Sequence, residues 1–154
     1  MLGSERRSRF MPIEFRFLDC DDPLRAATRD LRFRVLREPL GFSRADVIVE
    51  GEDASMHLAA VDDGQVVACV MLTPTGPTRG KLRQMAVEPS HQGMGLGRAL
   101  VRHLEQALSV AGFDEIELHA RSHAVGFYEK LGYAPESDAF TEVGLPHFLM
   151  RKRW

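Results

Sequence analysis

From residue 87 to residue 98 the chain reads Val-Glu-Pro-Ser-His-Gln-Gly-Met-Gly-Leu-Gly-Arg, and its alternate glycines are the first residues whose spacing suggests chemistry. Gln92, Gly93, Met94, Gly95, Leu96 and Gly97 follow an apolar run ending at Val87 and open onto a strongly periodic helical stretch. A helix start leaves several backbone N–H groups unpaired, and its dipole favours negative charge. Glycines let consecutive N–H groups converge and put no Cβ in the way of a phosphate. With Arg98 at its end, the loop reads as an anion cradle. A P-loop would need Gly-Lys-Ser/Thr where this chain has Gly97-Arg98-Ala99, and a dinucleotide fingerprint would need a glycine at Arg98. Taken alone, the loop leaves open a glycine-rich turn with no ligand.

Such a loop needs a strand before it and a helix after it. Residues 81–87 (KLRQMAV) read as the strand. Leu96, Ala99, Leu100, Leu104, Ala107, Leu108 and Ala111 keep helical spacing, and Gly112 closes the helix. Upstream, residues 13–17 alternate as a half-buried strand does. Asp21-Asp22-Pro23 starts a helix with Leu24, Ala27, Leu31 and Val35 on one stripe. Its arginines (Arg25, Arg29, Arg32, Arg34, Arg37) read as a solvated face. Residues 42–56 are polar and acidic and read as a loop. Strands follow over 56–61 and 65–73, joined by a hairpin turn at Asp62-Asp63-Gly64. A strand over 115–120 and a helix over 122–131, closed by Gly132, precede two last strands, 133–140 and 148–151. This order predicts a mixed α/β (α+β) fold, its sheet mostly antiparallel with helices on the faces.

The chain of 154 residues is sized for one domain. Residues 1–10 read as an Arg-rich flexible extension and residues 11–154 as the domain. A formal charge of −2 supplies no general field for nucleic acid or an anionic bilayer. The apolar run 66–72 is too short to span a membrane. Cys69 sits inside that run and reads as a buried free thiol, and nothing suggests a disulfide framework, so a cytoplasmic location is expected. His119 and His123 are four apart across a strand-to-helix break, and no HExxH occurs, so no metal is expected.

Gln92-x-x-Gly95-x-Gly97, preceded by Val87-x-Pro89, resembles the coenzyme A-binding motif of the GNAT (GCN5-related N-acetyltransferase) superfamily. Downstream, Ala124-x-x-Phe127-Tyr128-Glu129-Lys130-Leu131-Gly132-Tyr133 resembles that family's second signature. The ending Phe140-x-Glu142-x-Gly144-x-Pro146-His147-x-x-Met150 is similar to a branch of small bacterial members. The resemblance covers residues 11–151 and implies the GNAT fold, a sheet of about seven strands flanked by helices. It implies acetyl-coenzyme A as acetyl donor and direct transfer to an amine in a ternary complex. Met85, Ala86 and Val87 would pair with the pantetheine arm, and the sheet would splay between this strand and residues 115–120. Tyr128 matches the tyrosine that often protonates the departing thiolate, a role suited to a phenol with pKa near about 10. Arg121 stands where many members carry a cofactor-contacting asparagine.

The base that deprotonates the acceptor is left open among His119, on the strand lining the implied slot, Glu142, His147, and Glu50, Glu52 and Asp53 in the acidic loop. Glu142 and His147 also stand among rigid apolar residues in the C-terminal segment 140–147, which is expected to wall the acceptor pocket. The acceptor is expected to be a small-molecule or peptide amine, with the acidic loop 46–53 favouring a cationic one, and a homodimer is left open. Two rival readings are a catalytically silent acyl-coenzyme A-binding domain with a sensor or regulatory role, and a nucleotide-binding protein.

Overall fold

The computed structural model describes residues 12–154, so the extension expected at residues 1–10 lies outside the described residues. Strand β1 (Glu14–Phe17) pairs with β2 (Met56–Asp62), β2 with β3 (Gln65–Pro74), and β3 with β4 (Arg79–Val87), all antiparallel. The β2–β3 hairpin turns at Asp63 (φ 50°) and Gly64 (φ 77°), both left-handed, as a primed Asp-Gly turn requires. Strand β5 (Glu115–Arg121) joins β4 in parallel, the one parallel pairing among the described strands.

A short β6 (Ala134–Pro135) and β7 (Phe140–Glu142) both pair with β8 (Leu145–Arg153), which lies antiparallel on β5. The result is one open mixed sheet of eight strands, in the order β1-β2-β3-β4-β5-β8-β6 with β7 on β8. The single strand expected over 133–140 breaks in two. Pro135 has no N–H for the ladder, and at Ser137 the side-chain oxygen, not the backbone, accepts from the Leu149 N–H at 3.0 Å.

Two layers of helix cover the sheet. On one face lie α2 (Leu96–Val110) and the short α3 (Val125–Lys130); on the other lies α1 (Leu24–Arg32), continued by a π-helical turn (Phe33–Arg37). The expected stripe of α2 holds: Leu96, Leu100, Leu104 and Leu108 are buried against Leu58, Leu82 and Leu118. Each such leucine contributes about 1.5–3 kcal/mol, so α2 is fixed by its far turns and leaves its first turn free for other work. On the opposite face Leu31 meets Cys69 and Ala86, small residues that let α1 lie close to the sheet. Cys69 is a free, buried thiol pushed up to about 12 by desolvation, a packing residue.

The solvated arginine face expected on α1 is only partly present. Arg25 and Arg32 are buried, and residues 42–56 fold back over Arg32 through short 3-10 turns at Arg44–Val47 and Glu52–Ala54. Arg32 forms a two-point fork with Glu52, Nη1 to Oε2 at 2.6 Å and Nη2 to Oε1 at 2.8 Å, and Nη2 also donates to the Val47 carbonyl. Burial pushes the Glu52 carboxyl up, but the Arg32 bonds and charge outweigh it and hold it below its usual range. Among the described residues no helix is long and apolar enough to cross a membrane.

Candidate active site

Strands β4 and β5 pair only from Arg79↔Glu115 to Leu82↔Leu118 and then part. Just past that point β4 bulges: Gln84 takes φ 56°, and the β3–β4 register shifts between Cys69 and Met71. A left-handed glutamine stores strain, as functional sites often do. Gln84 Oε1 is also buried without a hydrogen-bond partner among the described residues. The divergence opens a cavity of about 710 Å³ lined by both strand ends and by the glycine loop. The expected splay is present, and Met85, Ala86 and Val87 border it.

The glycine loop enters α2 through Gly95, its N-cap, at φ 77°, with Gly93 at φ 79°. A Cβ on either would meet nothing within 4 Å, so glycine is required here for backbone conformation and not for room. Helices usually begin with a side-chain cap and an acid in the first turn. Here α2 has neither, and Arg98 adds positive charge to the first turn. Leu96 buries its side chain in the core and Met94 turns its own to solvent, so both can serve an anion only through their N–H groups. Gln92 Nε2 donates to the Val87 carbonyl at 3.1 Å, so one backbone acceptor expected to face the pantetheine arm is already engaged.

Tyr128 lines the cavity from α3, on the α2 face. Phe127 and Tyr133 meet its ring edge to face, with centroids 5.0 and 5.7 Å away, and fix its orientation. Burial pushes the phenol above its usual range, so it is protonated at neutral pH. Tyr133 is excluded from that role, since its hydroxyl donates to Glu105 at 2.8 Å.

On β5, Ile116, Leu118 and Ala120 belong to the core under α2. Strand alternation therefore turns His119 and Arg121 to the α1 face. The β7–β8 hairpin sets Arg121 opposite His147 and Phe140 opposite His147, which brings Glu142 to His119. His119 Nδ1 stands 2.8 Å from Glu142 Oε1, and His147 Nε2 lies 3.6 Å from Glu142 Oε2. Burial raises the Glu142 carboxyl, but the His119 bond and charge win and hold it ionised below its usual range. An ionised carboxylate only accepts, so His119 donates to it from Nδ1. His147 Nδ1 donates to the Leu145 carbonyl at 2.9 Å. Three residues expected in two separate roles thus form one cluster.

Arg121, which stands where many members carry a cofactor-contacting asparagine, lies on the α1 face, where its Nη2 donates to the Leu36 carbonyl at 3.1 Å. His119 and His123 find no third ligand; among the described residues no group of three or more His, Cys, Asp or Glu is placed to hold a metal. The acidic loop does not line the cavity. Glu52 is spent on Arg32, and Asp46 caps its own 3-10 turn by accepting from the Ser43 N–H at 2.7 Å. Sequence reasoning missed Gln84 and Arg37. No pattern marks a bulge, and Arg37 faces the cavity only because a π turn rotates the end of α1.

The acetyltransferase (GNAT) family profile matches residues 21–133. An assigned acetyltransferase of Bacillus subtilis is 36% identical over 97 residues, 63% of this chain and 65% of that protein, so the match spans just under two thirds of this relative. The solved structure of an assigned N-acetyltransferase from Lactobacillus plantarum has a TM-score of 0.84 at 23% identity, covering 93% of this chain and 99% of that one. An aminoglycoside 6'-N-acetyltransferase solved with coenzyme A has a TM-score of 0.75 at 22% identity, covering 91% of this chain and 96% of its own. At these identities the structures speak to the fold; the profile, matching most of the chain and both motifs, speaks to descent. This chain belongs to the GNAT family of acetyltransferases.

Proposed function

We propose that this protein transfers the acetyl group of acetyl-coenzyme A to an amine by direct attack, with both substrates bound. The observation that carries this reading is the slot between β4 and β5, which runs from an uncapped, acid-free helix start to a histidine oriented by a carboxylate. Acetyl-coenzyme A supplies the activated acyl group. The N–H groups at the start of α2 and Arg98 hold its pyrophosphate, and the unpaired edge of β4 at Met85, Ala86 and Val87 receives its arm as an added strand would be received.

The two proton carriers stand on opposite faces of the sheet. His119 Nε2, on the α1 face, takes the proton that an acceptor ammonium must lose before it can attack. Glu142 fixes the tautomer that makes this possible and stabilises the imidazolium that results. Tyr128, on the α2 face, gives its hydroxyl proton to the sulfur as the carbon–sulfur bond breaks. Desolvation raises the pKa of a thiolate in the slot just as it raises that of the phenol, so donor and acceptor stay matched.

Tyr128→Phe keeps the ring and removes only the proton. A positioned acid is typically worth about 10²–10⁴-fold, so kcat for thiol release should fall by that much with the acetyl-coenzyme A dissociation constant unchanged. A loss under about threefold removes Tyr128 from the chemistry. Failure of acetyl-coenzyme A to bind the wild-type protein in a calorimeter removes the acetyltransferase reading itself.

A further inference from the structure

Three arginines packed on the scaffold are each paired with a carboxylate, although the buried Arg25 is not. Arg32 has Glu52 at 2.6 Å, Arg34 has Glu88 at 2.9 Å, and Arg151 has Glu136 at 2.6 Å. Arg37 and Arg121 are treated differently. Both line the cavity, both are half-buried, and neither has a carboxylate within ion-pair distance among the described residues. Each spends one N–H of its five on the same carbonyl, that of Leu36: Arg121 Nη2 at 3.1 Å and Arg37 Nη1 at 3.3 Å. Their charges oppose one another, and burial together with that repulsion pulls the Arg37 guanidinium below its usual range. Two like charges kept side by side in a cavity cost stability unless something between them returns it.

Among the described residues no acid is free to do this. Glu142 is the carboxylate that acts on both guanidiniums, and its two oxygens are already turned to His119 and His147. Asp46 is in electrostatic reach of Arg37, but its carboxylate closes the Ser43 cap. Capping the end of α1 would need one cation, not two. The pair also stands on the α1 face beside His119, whereas the phosphate-binding features stand at the start of α2. The geometry points to an acceptor that carries a carboxylate as well as its amine, with Arg37 and Arg121 gripping the carboxylate while the amine faces His119. This rests on the acetyltransferase reading and adds the class of acceptor: a small amino acid or related amino-carboxylate, in place of the cationic amine that the acidity of residues 46–53 suggested.

The test is a set of matched acceptors, glycine, β-alanine, aspartate and glutamate beside their carboxamides, assayed by thiol release from acetyl-coenzyme A. Wild type should favour at least one acid over its amide by about 10–100-fold in kcat/KM, the range of a charge-assisted two-point contact. Arg121→Gln and Arg37→Gln should each erase most of that preference through acceptor KM, with the acetyl-coenzyme A dissociation constant unchanged. Arg121→Lys, which keeps the charge but loses the fork, should retain part of it. Equal turnover of acids and amides, a preference that survives both glutamine variants, or no turnover of any acid overturns the proposal. If acetyl-coenzyme A still binds, each of those outcomes leaves the acetyltransferase reading standing. Loss of acetyl-coenzyme A binding in Arg121→Gln would instead move this residue to the donor site and equally overturn it.

Discussion

On the α2 face the slot ends in a helix start with no side-chain cap, no acid in its first turn and two left-handed glycines. On the α1 face it ends in two arginines, two imidazoles and a carboxylate, contributed by the π turn after α1 and by β5, β7 and β8. The first face offers mainly backbone groups from one continuous stretch of chain; the second offers side chains from four places. A backbone cradle depends little on side-chain identity and suits a ligand part that stays constant, such as a pyrophosphate. A side-chain cluster can be altered one residue at a time without moving the strands that hold it. On the proposed function, the fold thereby separates what must be kept for the donor from what can be tuned for the acceptor.

The comparison breaks most severely at Gly95. Valine there would have to hold φ 77°, which for a β-branched residue costs more than the roughly 1–2 kcal/mol of an ordinary L-residue. Helix α2 is anchored further along by Leu100, Val101, Leu104 and Leu108, so Gly95→Val should fold. The loop should reset, and acetyl-coenzyme A binding should be lost in a calorimeter while the circular dichroism spectrum is kept. A folded variant with wild-type affinity would mean that the donor is not held by this loop.

The same contrast explains what could be read in advance. The glycine loop, the α2 stripe and the Tyr128 segment are local patterns, and each was legible because its meaning is carried by neighbours in the chain. Strand β6 was misjudged because its extent is decided at β8, where Ser137 replaces the backbone as partner of Leu149. Glu52 and Arg32 are 20 residues apart, so nothing local distinguishes their buried pair from two solvated charges. The His119–Glu142 bond spans 23 residues and exists only because the β7–β8 hairpin lies against β5. Nonlocal register is what a single sequence hides.

A smaller effect should appear on the α1 face at Glu52. Removing one partner of a buried ion pair typically costs about 3–5 kcal/mol, because the other charge is left uncompensated. Glu52→Gln keeps one acceptor oxygen, and Arg32 keeps the Val47 carbonyl, so about 3 kcal/mol is expected in denaturant unfolding. Acetyl-coenzyme A affinity should not change, since the pair lies across the sheet from the α2 loop. Loss of donor affinity in proportion to stability would show that the two faces are not separable.

The smallest and most informative change is Glu142→Gln, which separates positioning from mere packing. The variant removes the charge that fixes the His119 tautomer, while a glutamine of the same shape still fills the space beside Phe140. Outer-sphere partners of a histidine are typically worth about 10–100-fold, so kcat/KM should fall toward the lower end of that range with donor affinity intact. The pH dependence of stability supplies a second readout. The folded carboxyl is held below its ordinary 4.5, so its stabilising contribution is complete above that value and disappears as pH falls through the folded pKa. The stability difference between wild type and Glu142→Gln should therefore shrink as pH falls below about 4.5. A difference that stays constant through that acid range would assign Glu142 a packing role only. A variant with the expected pH signature and unchanged kcat/KM would keep the ion pair but take His119 out of the proton transfer.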